Sequence, residues 1–116
     1  MIFMNDLISY SDFVKIEIRL GTIISAELNS KLRKPSFVLK IDFGDEIGIK
    51  KSSAQLTKNY NIEQLLDRQI AAVINFPNKQ IGDLMSEVLV LGFPDENNEP
   101  ILIRPDKKLI NGGRLY

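Results

Sequence analysis

The chain has 116 residues, 44% of them hydrophobic and 26% charged, which suits one globular domain and leaves no room for two. Cysteine and histidine are both absent, which excludes disulfides, thiol nucleophiles, thiolate metal sites and the commonest general base. Fifteen cations balance fifteen carboxylates, so a uniformly basic nucleic-acid binder is excluded and any polyanion must be held by a local patch.

The opening stretch Met1–Asp6 has no cationic region and no long apolar run, so a cleaved leader is not expected. No apolar run approaches the roughly 20 residues that span a bilayer; membrane insertion is not expected, and a cytoplasmic location is. Asp12 is placed to cap a short helical turn at Phe13 and Val14. A long alternating run follows. Ile16, Ile18, Leu20, Thr22, Ile24 and Ala26 fall on one face, with Glu17, Arg19, Gly21, Ile23, Ser25 and Glu27 on the other. Period two over this length predicts a half-buried strand, and Gly21 within it predicts a bulge or bend.

Residues 28–35 form a polar, basic loop. Phe37, Leu39, Ile41 and Phe43 then alternate with Val38, Lys40 and Asp42 in a second strand. Gly44-Asp45 is turn chemistry, and Ile47 and Ile49 alternate with Gly48 and Lys50 in a third strand, giving a hairpin. Asn61 is placed to cap a short helix over residues 62–66. Ile70, Ala72 and Ile74 predict a fourth strand that is apolar on both faces and ends at Pro77. Val88–Leu91 predicts a fifth, Asp95–Asn98 a turn, and Ile101–Ile103 a further short strand. The tail from Pro105 to Tyr116 reads as loop-like, with a turn at Asn111-Gly112-Gly113. Three strands, a helical connection and then two or more strands is the order of an OB-fold barrel. The expected class is therefore all-β: a single five-stranded OB-fold domain over residues 1–116, with a short helix between strands 3 and 4.

Charge is unevenly spread. Residues 31–58 hold seven cations against three carboxylates, while both flanks are net acidic. Asp42, Asp45 and Glu46 surround a tight turn without the spacing of a calcium loop, so no metal and no cofactor is expected. With neither cysteine nor histidine, no catalytic residues are assigned.

Several motifs resemble those of the tRNA-binding-domain family. Phe13 to Ile23, with Glu17, Arg19 and Gly21, is similar to the opening of its first strand. Ile41–Gly44, Ile47–Thr57, Val73–Pro77 with Lys79, Ile81 and Gly82, and Ser86–Gly92 are similar to the CsaA branch. The chain departs from that pattern at Asn78 and in the acidic turn Asp95–Glu99. The resemblance runs from about Phe13 to Gly113. It implies an OB barrel whose N- and C-terminal extensions pair two subunits. It further implies that the partner is tRNA or a similar structured RNA or, alternatively, an unfolded export precursor polypeptide held by a chaperone.

Small OB barrels take ligands on the face of the second and third strands and the loops beside it. The candidate RNA contacts there are Arg33, Lys34, Lys40, Lys50 and Lys51, with Ser52 and Ser53 adding hydroxyls. Lys40 and Lys50 point outward by alternation. A second group, Asn75, Lys79, Ser86 and Glu87, brings an amide, an amine, a hydroxyl and a carboxylate together between strands four and five. Phe37 and Phe43 are expected in the core, Phe76 beside the second group, and Tyr60 packed with its hydroxyl in solvent. Ile23, Val38 and Val73 are expected outward, where at a dimer seam they would line a shared apolar groove for polypeptide. Phe13, Ile110, Leu115 and Tyr116 are the candidate dimer contacts.

Overall fold

The computed structural model describes residues 6–116; the reading of the first five residues lies outside that range. Helix α1 (Tyr10–Val14) begins earlier than expected, and its cap is Ser9. The Ser9 hydroxyl accepts the Asp12 N–H at 3.1 Å while the Asp12 carboxylate accepts the Ser9 N–H at 2.9 Å. Asp12 thus closes a capping box from the third helical position, and does not start the helix.

Strand β1 (Ile18–Asn29) is the centre of the molecule. Its first half pairs with β4 (Gln69–Val73) and its second half with β2 (Ser36–Asp42), both antiparallel. Between the halves the register shifts at Ile23/Ser25, so Ile24 is an extra residue without a partner on β2. The bulge inverts the side-chain phase. Ile23 is fully buried and Ile24 is 43% exposed, the reverse of strict alternation, before Ala26 returns to the core. The bulge is thus not at Gly21, which stays in register with Ile70 of β4. Gly21 lets the core close, because a Cβ there would lie 2.6 Å from Ile41 Cγ2 and 2.8 Å from the Phe43 ring.

β2 and β3 (Ile49–Ala54) form the expected hairpin. β3 starts at Ile49, after the left-handed Gly48 (φ 85°) has completed the turn, and runs on through Ser52 and Ser53. Asn61 caps α2 (Ile62–Leu65) with Gln64 completing a second capping box. The helix stops one residue before the expected end because Leu66 is extended (ψ 136°). Its buried Leu65 joins Ile23, Leu39, Ile41, Phe43 and Ile70 in the core. Burying a side chain of this size contributes about 1.5–3 kcal/mol. All five residues of β4 are buried, matching a run apolar on both faces.

A short hairpin, β5 (Lys79–Ile81) with β6 (Leu84–Ser86), projects between β4 and β7 (Leu89–Val90). A second, β8 (Gly92–Pro94) with β9 (Pro100–Leu102), encloses the Asp95–Asn98 turn. The main sheet has the order β3-β2-β1-β4-β7. It curls so that β3 meets the lead into β7. There the Glu87 N–H donates to the Lys51 carbonyl at 2.8 Å and the Ser52 hydroxyl to the Val88 carbonyl at 3.1 Å. The result is a curled five-stranded antiparallel half-barrel of the OB type.

The tail is not a free loop. The Leu20 N–H donates to the Gly113 carbonyl, the Gly112 N–H to the Leu20 carbonyl, and the Leu115 N–H to the Ile18 carbonyl, at 2.8–3.0 Å. Among the described residues no helix is long and apolar enough to cross a membrane.

Candidate nucleic-acid interface

The register of the β2–β3 hairpin fixes which side chains share a face. Phe37 with Ala54, Leu39 with Ser52, and Ile41 with Lys50 face inward. Val38 with Ser53, Lys40 with Lys51, and Asp42 with Ile49 face outward. Lys40 and Lys51 are therefore exposed and directly opposite one another, and among the described residues neither forms an ion pair. Like charges in that position repel across about 5 Å. Lys50 does not join them. The late start of β3 puts it on the same face as the buried Ser52, half-buried beside Ile41, which corrects the outward placement expected from alternation.

The basic loop and the β5–β6 hairpin frame this face. Arg33 and Lys34 are exposed in the loop. Lys31 reaches Asp83 at the hairpin tip (3.8 Å), and Leu32 sits against Gly82, where a Cβ would come within 2.7 Å of its Cδ2. Lys79 is exposed on the hairpin opposite Ser86.

The other candidates are occupied with the fold. Ser52 is buried and its hydroxyl holds Val88. The Ser86 hydroxyl accepts the Ser53 N–H at 3.0 Å, and the Glu87 carboxylate accepts the Lys51 N–H at 2.9 Å. Asn75 accepts the Glu17 N–H at 3.0 Å and donates to the Lys15 carbonyl at 2.7 Å, stitching the end of β4 to the chain before β1. Of the second group, Lys79 alone has a side chain free of such bonds, while Ser53, half-buried, lines two clefts that also include Leu89.

One of these clefts, about 520 Å³, lies beneath the hairpin, between Phe76, Pro77, Ile81, Val88 and Leu89, with Lys79 and Glu87 on its wall. Phe76 is 54% exposed there. Ile23 and Val73 are buried and Val38 is half-buried, so the apolar groove expected from them does not exist on the outer surface. The bulge accounts for Ile23, and coverage of both faces of β4 accounts for Val73. Phe37 and Phe43 are core residues. The Tyr60 hydroxyl is not free in solvent, because it accepts the Leu102 N–H at 2.9 Å.

Two carboxylates are held below their ordinary range. For Glu17 the main cause is the hydrogen-bonded Arg19 guanidinium, opposed by partial desolvation and reinforced by the charge of Arg114. Asp95 is lowered by the Asn59 amide, then by the backbone N–H groups of Glu99 and Asn97. Glu17 ties the tail to the start of β1, and Asp95 holds its own turn. Of the candidate dimer contacts, Phe13 is half-buried while Ile110, Leu115 and Tyr116 are exposed. Ile110 and Leu115 border an apolar cleft of about 360 Å³ with Ile18, Leu20, Ile103 and Leu109.

A half-barrel of OB type with a loop-framed cationic face defines a small binding domain. A family model for the tRNA binding domain matches residues 18–114, and the chain belongs to this family. Among curated proteins it is similar to the methionine–tRNA ligase of Methanococcoides burtonii, 35% identical over 96% of this chain and 16% of that protein. The chain spans about one sixth of the length of the curated relatives it matches. Among solved structures it is similar to the chaperone CsaA of Bacillus anthracis str. Ames, at 44% identity and a TM-score of 0.89, covering 95% of this chain and 99% of that one. The CsaA chaperone protein of Picrophilus torridus is similar at 44% identity and a TM-score of 0.88, covering 95% and 100%.

Proposed function

We propose that the chain is a non-catalytic, cytoplasmic binding module that holds tRNA, or a structured RNA of similar shape, on the outer face of β2 and β3, and that it works as a homodimer. The observation that carries this reading is the Lys40–Lys51 pair, two exposed cations opposite each other that form no ion pair among the described residues. Arg33, Lys34 and Lys79 extend the positive field along the framing loops. Membership of the tRNA binding domain family supports it. Phosphate contacts of this kind position an RNA without reading its sequence. The absence of cysteine and histidine, together with the use of Ser52, Ser86 and Glu87 in barrel closure, supports a module without chemistry. The exposed Ile110, Leu115 and Tyr116 support pairing of two copies through the tail.

A gel-shift series with total tRNA tests the RNA reading. Binding weakens steeply between 50 and 200 mM salt when several phosphates are engaged, and Lys40→Glu with Lys51→Glu abolishes it. A retained shift in that variant removes the proposed face.

A second reading, capture of unfolded polypeptide, is favoured by the apolar cleft around Phe76, Ile81 and Leu89 and by the similarity to CsaA chaperone structures. Peptide binding there is nearly salt-independent and is lost with Phe76→Asp, while the lysine variant leaves it intact.

A further inference from the structure

We propose that the chain carries a second phosphate-contact site, away from the lysine face, in which Arg68, Arg104, Lys107 and Lys108 engage the backbone of the same RNA; this rests on the RNA reading above. The cleft, about 510 Å³, lies between the turn from α2 into β4 and the start of the tail. Its lining is Asp67, Arg68 and Gln69 on one side and residues 104–108 on the other, four cations against two carboxylates. Among the described residues none of the four cations forms an ion pair, with Asp67, Asp106 or any other carboxylate.

The cleft is held in shape before any ligand arrives. Residues 104–108 are tied down at both ends. On one side the Ile103 N–H donates to the Leu91 carbonyl. On the other, the buried Gln69 side chain grips Leu109 twice, accepting its N–H at 3.0 Å and donating to its carbonyl at 2.6 Å. Pro105 further limits the loop between these anchors. Arg68 is partly buried, with its guanidinium 5.1 Å from the centre of the Tyr60 ring and its Nε donating to the Gln64 carbonyl. A loop whose backbone is anchored at both ends loses less freedom on meeting a phosphate than a mobile tail would.

The site is separate from the first. No residue lines both this cleft and the β2–β3 face, and the sheet order places β2 and β1 between β3 and β4. The two cationic zones therefore lie on different strands of the curled sheet, with β1 between Lys40 on β2 and Gln69 on β4. A folded RNA can reach both at once, whereas a short single strand lying on β2 and β3 reaches one.

The test is the salt dependence of tRNA binding by the whole 116-residue chain. Each lost phosphate contact lowers the log–log slope by about 0.7–0.9. Arg104→Ala/Lys107→Ala/Lys108→Ala is expected to lower it by about 2 and to weaken binding at low salt at least about tenfold. Lys40→Ala/Lys51→Ala lowers the slope separately, and the combined variant loses both increments. Single Lys107→Glu, at an exposed position, gives the same direction if the triple variant does not fold. An unchanged slope in the tail variants, with a lowered one in Lys40→Ala/Lys51→Ala, overturns this proposal alone. No tRNA shift by the unaltered protein overturns it together with the RNA reading. Loss of polyglutamate binding in the tail variants with tRNA binding intact assigns the cleft to an acidic polypeptide, and likewise overturns the proposal.

Discussion

The carboxylate of Glu17 meets the guanidinium of Arg114 at 2.9 Å, joining the residue before β1 to the end of the chain. Arg19 holds the other oxygen of Glu17 through Nε and Nη2, at 3.1 and 2.7 Å, and donates from Nη1 to the Gly112 carbonyl at 3.0 Å. Arg114 also donates to the Val14 carbonyl. One carboxylate therefore organises α1, β1 and the tail.

That arrangement makes the termini acid-sensitive. The folded pKa of Glu17 lies below its unfolded value, so the unfolded chain binds the extra proton. Its contribution is present above the unfolded pKa of about 4.3 and is lost as pH falls through the lower folded value. Between pH 6 and pH 3 the melting temperature of the native protein is expected to fall more than that of Glu17→Gln. Parallel melting curves for the two would show that Glu17 contributes no such linkage.

Lys40 and Lys51 set stability against binding. Replacing both by alanine removes a cross-strand repulsion and is expected to leave the domain unchanged or more stable by about 0.2–1 kcal/mol. The same change is expected to lower the salt slope of tRNA binding by about 1.4–1.8. Urea unfolding and gel shifts on one preparation read both effects. A destabilised double variant would show that the lysines do structural service.

Gly21 is a packing requirement. Gly21→Ala drives a methyl into Ile41 and Phe43, and overpacking of this kind costs about 1–3 kcal/mol. Chemical denaturation is expected to show a lower midpoint with an unchanged slope.

Ser52 tests barrel closure. Ser52→Ala leaves the Val88 carbonyl without the hydroxyl that β3 supplies, at a cost of about 1–3 kcal/mol. Hydrogen exchange is expected to rise first at the Glu87 and Ser53 N–H groups, which bridge the same seam.

The apolar tail predicts the oligomeric state. Light scattering is expected to give twice the chain mass for the unaltered protein and the single mass for Ile110→Asp/Tyr116→Asp. Those side chains are 92% and fully exposed in the single chain, so the change spares the core. A monomeric unaltered protein ends the dimer proposal.

The strand order was legible in the sequence because its signals are local: period two in β1 and β2, glycine turns around β2–β3, and the Asn61 cap. Phase was not. The Ile24 bulge and the left-handed Gly48 each move the alternation by one position, which sent Ile23 and Lys50 to the wrong faces. The β5–β6 hairpin has strands of three residues, too short for a period, although Gly82 (φ 61°) marks its turn. Asn75, Ser86 and Glu87 have the chemistry of ligand contacts, but they satisfy backbone groups brought near only by folding. The Arg68–Lys108 cleft was invisible for a related reason. Its cations lie in a segment whose carboxylates outnumber them along the chain, and only the fold draws them together.

The unpartnered residue at Ile24 separates two properties that a regular strand would couple. The residues on either side, Ile23 against Ile41 and Ser25 against Lys40, keep consecutive partners on β2. Excising Ile24 would therefore leave every cross-strand neighbour in place and delete only curvature. A shortened chain of that kind would carry the right pairs on too flat a sheet, with Lys51 and Glu87 no longer within reach of each other. Shape in this domain is adjustable by a single insertion, while neighbour identity stays fixed.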